Sequence, residues 1–217
     1  MQVNSIKQVL VANDNVSDMA ALDTNLLQRN LLSFSRTINP VAGDGDCAFR
    51  NIVLQLRKTK EWIEHDEIFM QHLHNLTLGM SMDEDVFQLR QIFVDHIQSN
   101  DSYQVLIGIP LLDLNYETER FREEGTFCGE VGDLVIKVCS DILRVPILVV
   151  PSIVGTPYLP FIPDESVTGQ PLFIAHTASG AGLYDGTNKI ENDRGEHLNC
   201  YSQVVRLSIS QEKTLTG

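Results

Sequence analysis

The sequence predicts an α/β domain in which a small central sheet is flanked by helices. An amphipathic helix beginning at Gly129 or Glu130 leads directly into the β-rich segment Val145–Val150. An αβ unit of this kind belongs in a sheet that is covered by helices. Two further strands are predicted at Leu172–Thr177 and Leu183–Thr187, joined by a glycine-containing turn. The first half of the chain instead carries apolar residues at helical spacing, which predicts a helical arm before the sheet.

Four helices are expected before residue 101. They run from a Ser17-Asp18 cap to about Ser33, from Cys47 onward, from Trp62 to Met80, and from a capping box at Ser81–Glu84 to about Asn100. In the first helix the apolar face is expected to consist of Met19, Leu22, Leu26 and Leu27. A charged connector at 58–61 is expected between the second and third helices.

The other segments are less regular. Val105–Leu112 is apolar but interrupted by Gly108 and Pro110, so it is expected to form a buried loop or a short strand. A short strand is predicted at Tyr158–Ile162, a loop at 188–196 and a final strand at Tyr201–Ser208.

Composition indicates a single soluble domain. The 217 residues suffice to bury a core, and 43% hydrophobic with 21% charged residues is typical of globular proteins. No apolar run has the length of a membrane span, and the N-terminus lacks the residue order of a secretory signal. We expect a flexible lead-in at 1–15, one domain at 16–210 and a frayed tail at 211–217.

Charge and cysteine usage exclude several classes of partner. A net charge of −13 argues against binding to nucleic acid or to an anionic membrane. The four cysteines, at 47, 128, 139 and 200, form no CxxC pair, so no zinc site is expected. We therefore expect a reduced, intracellular, cytoplasmic monomer that uses no metal or cofactor.

Cys47 follows a tight turn and begins an apolar run with helical spacing. Gly43 and Gly45 permit the backbone angles of such a turn, and Phe49, Ile52, Val53 and Leu56 then share one helical face. At a helix N-terminus the partial positive charge lowers the pKa of a thiol and favours the nucleophilic thiolate. Amide groups of the turn could also stabilise an oxyanion. The alternative for a lone cysteine is a buried structural residue.

Three sequence blocks resemble the ovarian-tumour (OTU) cysteine proteases. Residues 43–50, Gly-Asp-Gly-Asp-Cys-Ala-Phe-Arg, are similar to the Asp-Gly-x-Cys-x-Phe-Arg signature of that family. Gly125–Gly129, with its helix and the strand at 145–150, resembles the Gly-Thr-Trp-Gly, helix, Pro-Ile-x-Val segment. Residues 171–175 and 182–185 resemble the penultimate strand and the Gly-His-Tyr-Asp tetrapeptide that carries the catalytic histidine.

The resemblance covers roughly residues 38 to 187 and implies a papain-type cysteine-protease fold with a helical arm. It implies a thiol-dependent deubiquitinase that cleaves ubiquitin isopeptide bonds, with Cys47 as the nucleophile. The implied partners are ubiquitin or ubiquitinated proteins. The arginine-rich tail of ubiquitin suits an acidic chain. The resemblance also places substrate contacts in the helical arm.

The chain departs from the family at the base. Where the family has histidine, this sequence has Leu183, although Asp185 stands where the orienting residue is expected. Cysteine attack on an amide needs a base within hydrogen-bond reach, and leucine cannot accept a proton. This alignment predicts an enzyme with little or no hydrolytic activity.

A second candidate for the base is His197, because His197-Leu198-Asn199 also has the family's His-x-Asn spacing. His197 would act with Asn199 as orienter if residues 178–196 form an insertion, or from a neighbouring strand with Asp185 as orienter. Asp44, together with Asp46, is expected to shape the loop. Two functional hypotheses follow, a ubiquitin-specific cysteine peptidase and a catalytically impaired ubiquitin-binding module. A third, weaker hypothesis is an unrelated scaffold with a structural Cys47.

Overall fold

The computed structural model describes residues 21–63, 76, 78–79, 81–108, 110–127, 129–164, 170–177 and 183–190. Its helices are α1 (21–32), α2 (Cys47–Ile63), α3 (Met82–Gln98), α4 (Ser102–Ile107), α5 (Leu111–Arg120) and α6 (Gly129–Leu143). Its strands are β1 (Arg36–Asn39), β2 (Ile147–Pro151), β3 (Leu159–Phe161), β4 (Leu172–Thr177) and β5 (Leu183–Lys189). No helix in these ranges is both long and apolar enough to cross a membrane.

The five strands form one sheet in the order β1-β5-β4-β2-β3. Strands β2 and β4 are parallel, with Ile147 opposite Leu172, and every other pair is antiparallel. Helix α6 is followed directly by β2, and together they form the predicted αβ unit. The predicted α/β fold is confirmed.

Both faces of the sheet are covered. Along β2, every residue is buried, and Ile147 and Val149 face a large core built with α2, α3 and α6. Leu148 and Val150 face the other side, where they pack with Leu27 and Leu31 of α1. This side is smaller and is completed by aromatic contacts, including Phe34 with Phe173. The sheet is therefore enclosed between α1 and the other helices.

The apolar face expected of the first helix needs correction. Leu27 and Leu31 are its buried residues, whereas Leu22 is 67% exposed. Leu27 lies on the buried face as expected, and Leu31, four residues later, lies on the same face. The contact surface is therefore nearer the C-terminal end of the helix than expected. The start of the predicted helix, including Met19, lies outside the described residues.

The connector predicted at 58–61 is also wrong, because α2 continues to Ile63. Lysine and glutamate have good helix propensity, and this stretch contains no glycine or proline that would end the helix. Lys58 also reaches β5, donating a 2.5 Å hydrogen bond to Oδ1 of Asn188. The helix predicted from Trp62 to Met80 falls largely on residues that are not described, but its predicted end is wrong because Leu76, Leu78 and Gly79 are not helical.

The capping box of α3 is confirmed. The Ser81 hydroxyl accepts a hydrogen bond from the Glu84 backbone N–H at 3.2 Å, and Glu84 Oε2 accepts one from the Ser81 N–H at 2.9 Å. This reciprocal pair fixes the start of the helix whose inner face carries Leu89, Phe93 and Ile97.

The stretch Val105–Leu112 is neither a buried loop nor a strand. It contains the end of α4 and the start of α5, with Gly108 in the left-handed conformation between them at φ 70°. Glycine permits this conformation, and Pro110 precedes the first helical residue of α5. Val105, Leu106 and Leu112 are exposed to solvent.

The predicted strands of the second half are confirmed at β2, β3, β4 and β5. Strand β5 extends to Lys189, two residues beyond its expected end and into the predicted loop, because β1 pairs with it from Arg36 to Asn39. The final strand predicted at Tyr201–Ser208 lies outside the described residues.

Candidate active site

Cys47 begins α2, as its sequence context predicts, and its side chain is buried. The preceding turn needs glycine at position 45, where φ is 84°. A Cβ there would lie 1.9 Å from the backbone oxygen of Gly125. No other residue can be accommodated without displacing the chain. This close approach joins the first sequence block, at 43–50, to the second, at 125–129.

A buried arginine holds these two segments together. Arg90 of α3 is fully buried and donates a 2.5 Å hydrogen bond from Nε to Asp46 Oδ1. Its guanidinium also donates to the backbone carbonyls of Gly45 at 2.8 Å and Thr126 at 2.9 Å. The second carboxylate oxygen of Asp46 accepts from the Gly125 N–H at 3.1 Å. The hydrogen bonds of Arg90 and Asp46 thereby fix the position of the turn that precedes Cys47. Sequence reasoning missed Arg90, whose signal is a charged residue among the apolar positions of α3.

Asp44 lies at the outer side of the turn. Its Oδ1 accepts hydrogen bonds from the Asp46 N–H at 3.1 Å and from Arg50 at 2.8 Å. The hydrogen bond from Arg50 is the main cause that lowers the pKa of Asp44. These contacts are those of a residue that shapes the turn, which is the role the sequence predicts for it.

Strand β5 passes beside the thiol. The backbone N–H of Tyr184 faces Cys47 and lowers the pKa of its thiol, which favours the thiolate. Asn51, one turn after Cys47, donates from Nδ2 to the Tyr184 carbonyl at 2.6 Å. The neighbours of Tyr184 on this strand are Leu183 and Asp185, so the structure brings Cys47 beside the segment that the sequence predicts. Asn51 and Tyr184 were not recognised as site residues from the sequence.

Leu183 occupies the position where the resemblance implies a histidine. Its Cδ1 lies 3.0 Å from the place a Cβ would take on Gly43, so its side chain covers the start of the Cys47 turn. An aliphatic side chain here can neither accept the thiol proton nor donate one to a leaving group.

Asp185 is a buried carboxylate on β5, with 7% of its surface exposed. Its Oδ1 accepts a 3.2 Å hydrogen bond from the backbone N–H of Val41. Burial raises the pKa of Asp185, and the Val41 hydrogen bond only partly opposes this effect. The carboxylate acts electrostatically on the thiol, and residue 183 carries no imidazole for it to orient.

The thiol is not activated as its helix position predicts. Burial raises the pKa of Cys47, and the hydrogen-bonding amides of Tyr184 and Ala48 lower it by less. The nearby carboxylates of Asp44 and Asp185 add to the increase because a thiolate would face two negative charges. Desolvation therefore outweighs the helix N-terminus, and the neutral thiol is favoured.

His176 is the histidine of β4 and lies opposite Tyr184 in the sheet. Its ring packs against the Tyr184 ring with centroids 4.7 Å apart, and burial lowers its pKa. His176 therefore packs against Tyr184 in the sheet.

His197 and Asn199 lie outside the described residues, and their proposed roles stay predictions. Of the five residues selected from the sequence, the structure brings together Cys47, Asp44 and Asp185. Among the residues with described positions, no group of histidine, cysteine and acidic side chains could hold a metal ion. Cys47 and Cys139 are both free and buried.

Comparison with known proteins supports the architecture. No protein-family model matches the sequence, and no curated protein matches it. Among solved structures, the OTU domain of OTUD1 is similar with a TM-score of 0.53 and 13% sequence identity. The match covers 79% of this chain and 97% of that domain. At this identity the likeness establishes an OTU-like fold.

Proposed function

We propose that this chain is an OTU-like domain that binds ubiquitin and whose hydrolytic activity is impaired. The observation that carries the proposal is Leu183, on the strand that passes beside Cys47. Amide hydrolysis by a thiol needs a base to accept its proton and an acid for the leaving amine. Leucine supplies neither function.

The electrostatics of the site support the same conclusion. Burial and two neighbouring carboxylates raise the pKa of Cys47, which leaves less thiolate at neutral pH. In a working cysteine protease an adjacent imidazolium would offset both effects. Asp185 alone has the opposite influence because its negative charge disfavours the thiolate.

Ubiquitin is the partner implied by the sequence blocks and by the OTU-like fold. The carboxylates of Asp44 and Asp185 act electrostatically on Cys47, and the chain has a net charge of −13. These negative charges suit the arginine-rich tail of ubiquitin. The arm formed by α4 and α5 adds an exposed apolar surface that includes Val105, Leu106, Leu112 and Tyr116. Exposed apolar patches are typical of protein interaction sites.

The second candidate function is an active deubiquitinase with His197 as its base. The preserved turn favours it, since Arg90 and Asp46 hold Cys47 at the start of α2 and Asp185 remains beside the thiol. In this mechanism Cys47 attacks the isopeptide carbonyl, and the turn amides stabilise the oxyanion. His197 then protonates the leaving lysine amine, and water hydrolyses the thioester.

The deciding experiment uses ubiquitin that carries a C-terminal electrophile, followed by intact-mass spectrometry and a ubiquitin-chain cleavage assay. Wild type is compared with Cys47→Ala and His197→Ala. An adduct that requires Cys47 and survives His197→Ala, without chain cleavage, supports the impaired binding module. Cleavage that is lost in Cys47→Ala and strongly reduced in His197→Ala supports the enzyme.

Binding is measured independently by titrating isotope-labelled ubiquitin with the Cys47→Ala variant. Chemical-shift changes at the ubiquitin tail are expected in both functional hypotheses. If neither adduct nor binding is observed, the ubiquitin proposal is wrong, and Cys47 is a structural residue of an OTU-like scaffold.

A further inference from the structure

Among the described residues, no strand pairs with β5 at Tyr184 on the side away from β4. Strand β1 pairs with β5 only as far as Asn39, which lies opposite Gly186. At Tyr184, β5 therefore has β4 on one side, and the part of the chain that the structure describes places no strand on the other. Peptide groups left without a partner in a protein interior cost free energy, so this edge needs another source of hydrogen bonds.

Helix α2 supplies those hydrogen bonds in place of a strand. Asn51 donates from Nδ2 to the Tyr184 carbonyl at 2.6 Å. The backbone N–H of Tyr184 faces Cys47 closely enough to lower the pKa of the thiol. One turn further along, Gln55 donates to the Thr187 carbonyl at 2.7 Å. Cys47, Asn51 and Gln55 are spaced by four residues, so they form one polar row facing the backbone of β5.

The surroundings of Asn51 are shaped for this contact. Asn51 is fully buried, and Gly186 leaves room for it because a Cβ there would lie 2.8 Å from its Oδ1. That Oδ1 atom has no hydrogen-bond partner among the described residues. A buried oxygen without a partner is unfavourable, so overall stability is a poor explanation for an asparagine at this position. Its amide contact with Tyr184 is the better explanation.

We propose that Asn51 is a positioning residue, whose side-chain amide fixes the Tyr184 peptide against Cys47 and so sets where Leu183 and Asp185 stand beside the thiol. The proposal rests on the proposed function only in taking Cys47 as the centre of the site. Its consequence is local, because Asn51 contacts the Tyr184 peptide, whose N–H faces the thiol.

The test measures the ionisation of Cys47 without ubiquitin. The rate of iodoacetamide alkylation is followed across pH by peptide mass spectrometry, which separates Cys47 from the other cysteines. In Asn51→Leu, which has similar size and no amide donor, the Tyr184 amide is released from the thiol. We expect alkylation at pH 8 to slow by about three- to tenfold, because the rate follows the thiolate fraction. The charges facing the thiol, on Asp44 and Asp185, are unchanged in this variant.

Gln55→Leu is the matched control. It removes a buried amide from the same helix and the same strand, but its partner Thr187 is three residues beyond Tyr184. We expect Gln55→Leu to lower the melting temperature while the alkylation profile of Cys47 stays that of the wild type. Equal alkylation changes in both variants, or unchanged or faster alkylation in Asn51→Leu, would overturn the proposal.

Gly186→Ala provides a second variant if Asn51→Leu does not fold. The added methyl group would displace Asn51 from Tyr184, so we expect alkylation to slow in the same direction. A folded Gly186→Ala protein with the wild-type alkylation profile would contradict the proposal. Failure of the ubiquitin proposal is recognised separately, because ubiquitin would then show neither an adduct nor binding in the experiments of the proposed function.

Discussion

Arg90 and Asp46 form a buried ion pair directly beneath the turn that carries Cys47. The pair links α3 to the turn, and the remaining donors of Arg90 bind backbone carbonyls on both loops of the site. The position of Cys47 thus depends on a residue 43 positions away in the chain. This dependence has a measurable consequence for stability.

Arg90→Leu should lower the free energy of unfolding by about 3–5 kcal/mol, because it leaves the Asp46 carboxylate buried without a cation. Urea unfolding measures this change. Arg122→Leu is the control, since Arg122 pairs with Glu119 and Asp95 at the surface and should contribute less than about 1 kcal/mol. Similar losses in the two variants would contradict the role assigned to Arg90.

Much of the fold could be predicted from the sequence because its signals are local. Periodicity identified α2, α3 and α6, and a capping box marked the start of α3. The predictions failed where tertiary contacts decide. Lys58 lies within α2, where it bonds to Asn188, although charge alone suggested a connector. Gly108 and Pro110 separate two helices instead of interrupting a strand.

The candidate site could be predicted only in part. Cys47, Leu183 and Asp185 lie in motifs, so a single sequence is sufficient to select them. Arg90 and Asn51 donate hydrogen bonds to backbone carbonyls of residues that are distant in the chain. A sequence pattern does not indicate such partners. The raised pKa of Cys47 could not be predicted either, because it depends on how far the folded chain buries the thiol.

Asp185→Asn should change how stability depends on pH. Burial raises the pKa of Asp185 in the folded state above its ordinary value of about 3.9, so the folded protein binds this proton more tightly than the unfolded chain. The contribution of Asp185 to stability is therefore largest at low pH and is lost as the pH rises through the folded pKa. An asparagine retains an oxygen acceptor for Val41 and does not titrate.

The measurement is urea unfolding of both proteins between pH 4 and pH 7. Relative to Asp185→Asn, the wild type should become less stable as the pH increases. Asp83→Asn serves as a control, because this residue lies at the exposed start of α3. A wild type that gains stability over Asp185→Asn as the pH rises would show that the folded carboxylate is favoured instead.

The helical arm provides a test of ubiquitin binding that does not depend on catalysis. Leu112 is 80% exposed, so Leu112→Asp should leave the fold intact. It should weaken ubiquitin binding at least about tenfold, or about 1.4 kcal/mol, because a charge would be desolvated at an apolar contact. Val154→Asp is the matched control, an equally exposed aliphatic residue between β2 and β3. Calorimetric titration that shows equal affinities for both variants would exclude the arm from the interface.

Leu183→His should restore hydrolysis. The substitution places an imidazole on β5 beside Cys47, with Asp185 two residues along the same strand and on the same face to orient it. The imidazole would also lower the pKa of the thiol by stabilising the thiolate. We expect ubiquitin-chain cleavage to exceed that of the wild type by at least about a hundredfold, the lower range for general acid–base catalysis.

The specificity of that gain distinguishes a restored site from a nonspecific effect. Leu183→Gln, which adds a polar group that does not titrate near neutral pH, should show no gain. Cys47→Ala in the Leu183→His background should abolish cleavage, and Asp185→Ala in that background should reduce it by removing the group that orients the ring. A folded Leu183→His protein that binds ubiquitin but cleaves chains no faster than the wild type would show that residue 183 is not the position of the missing base.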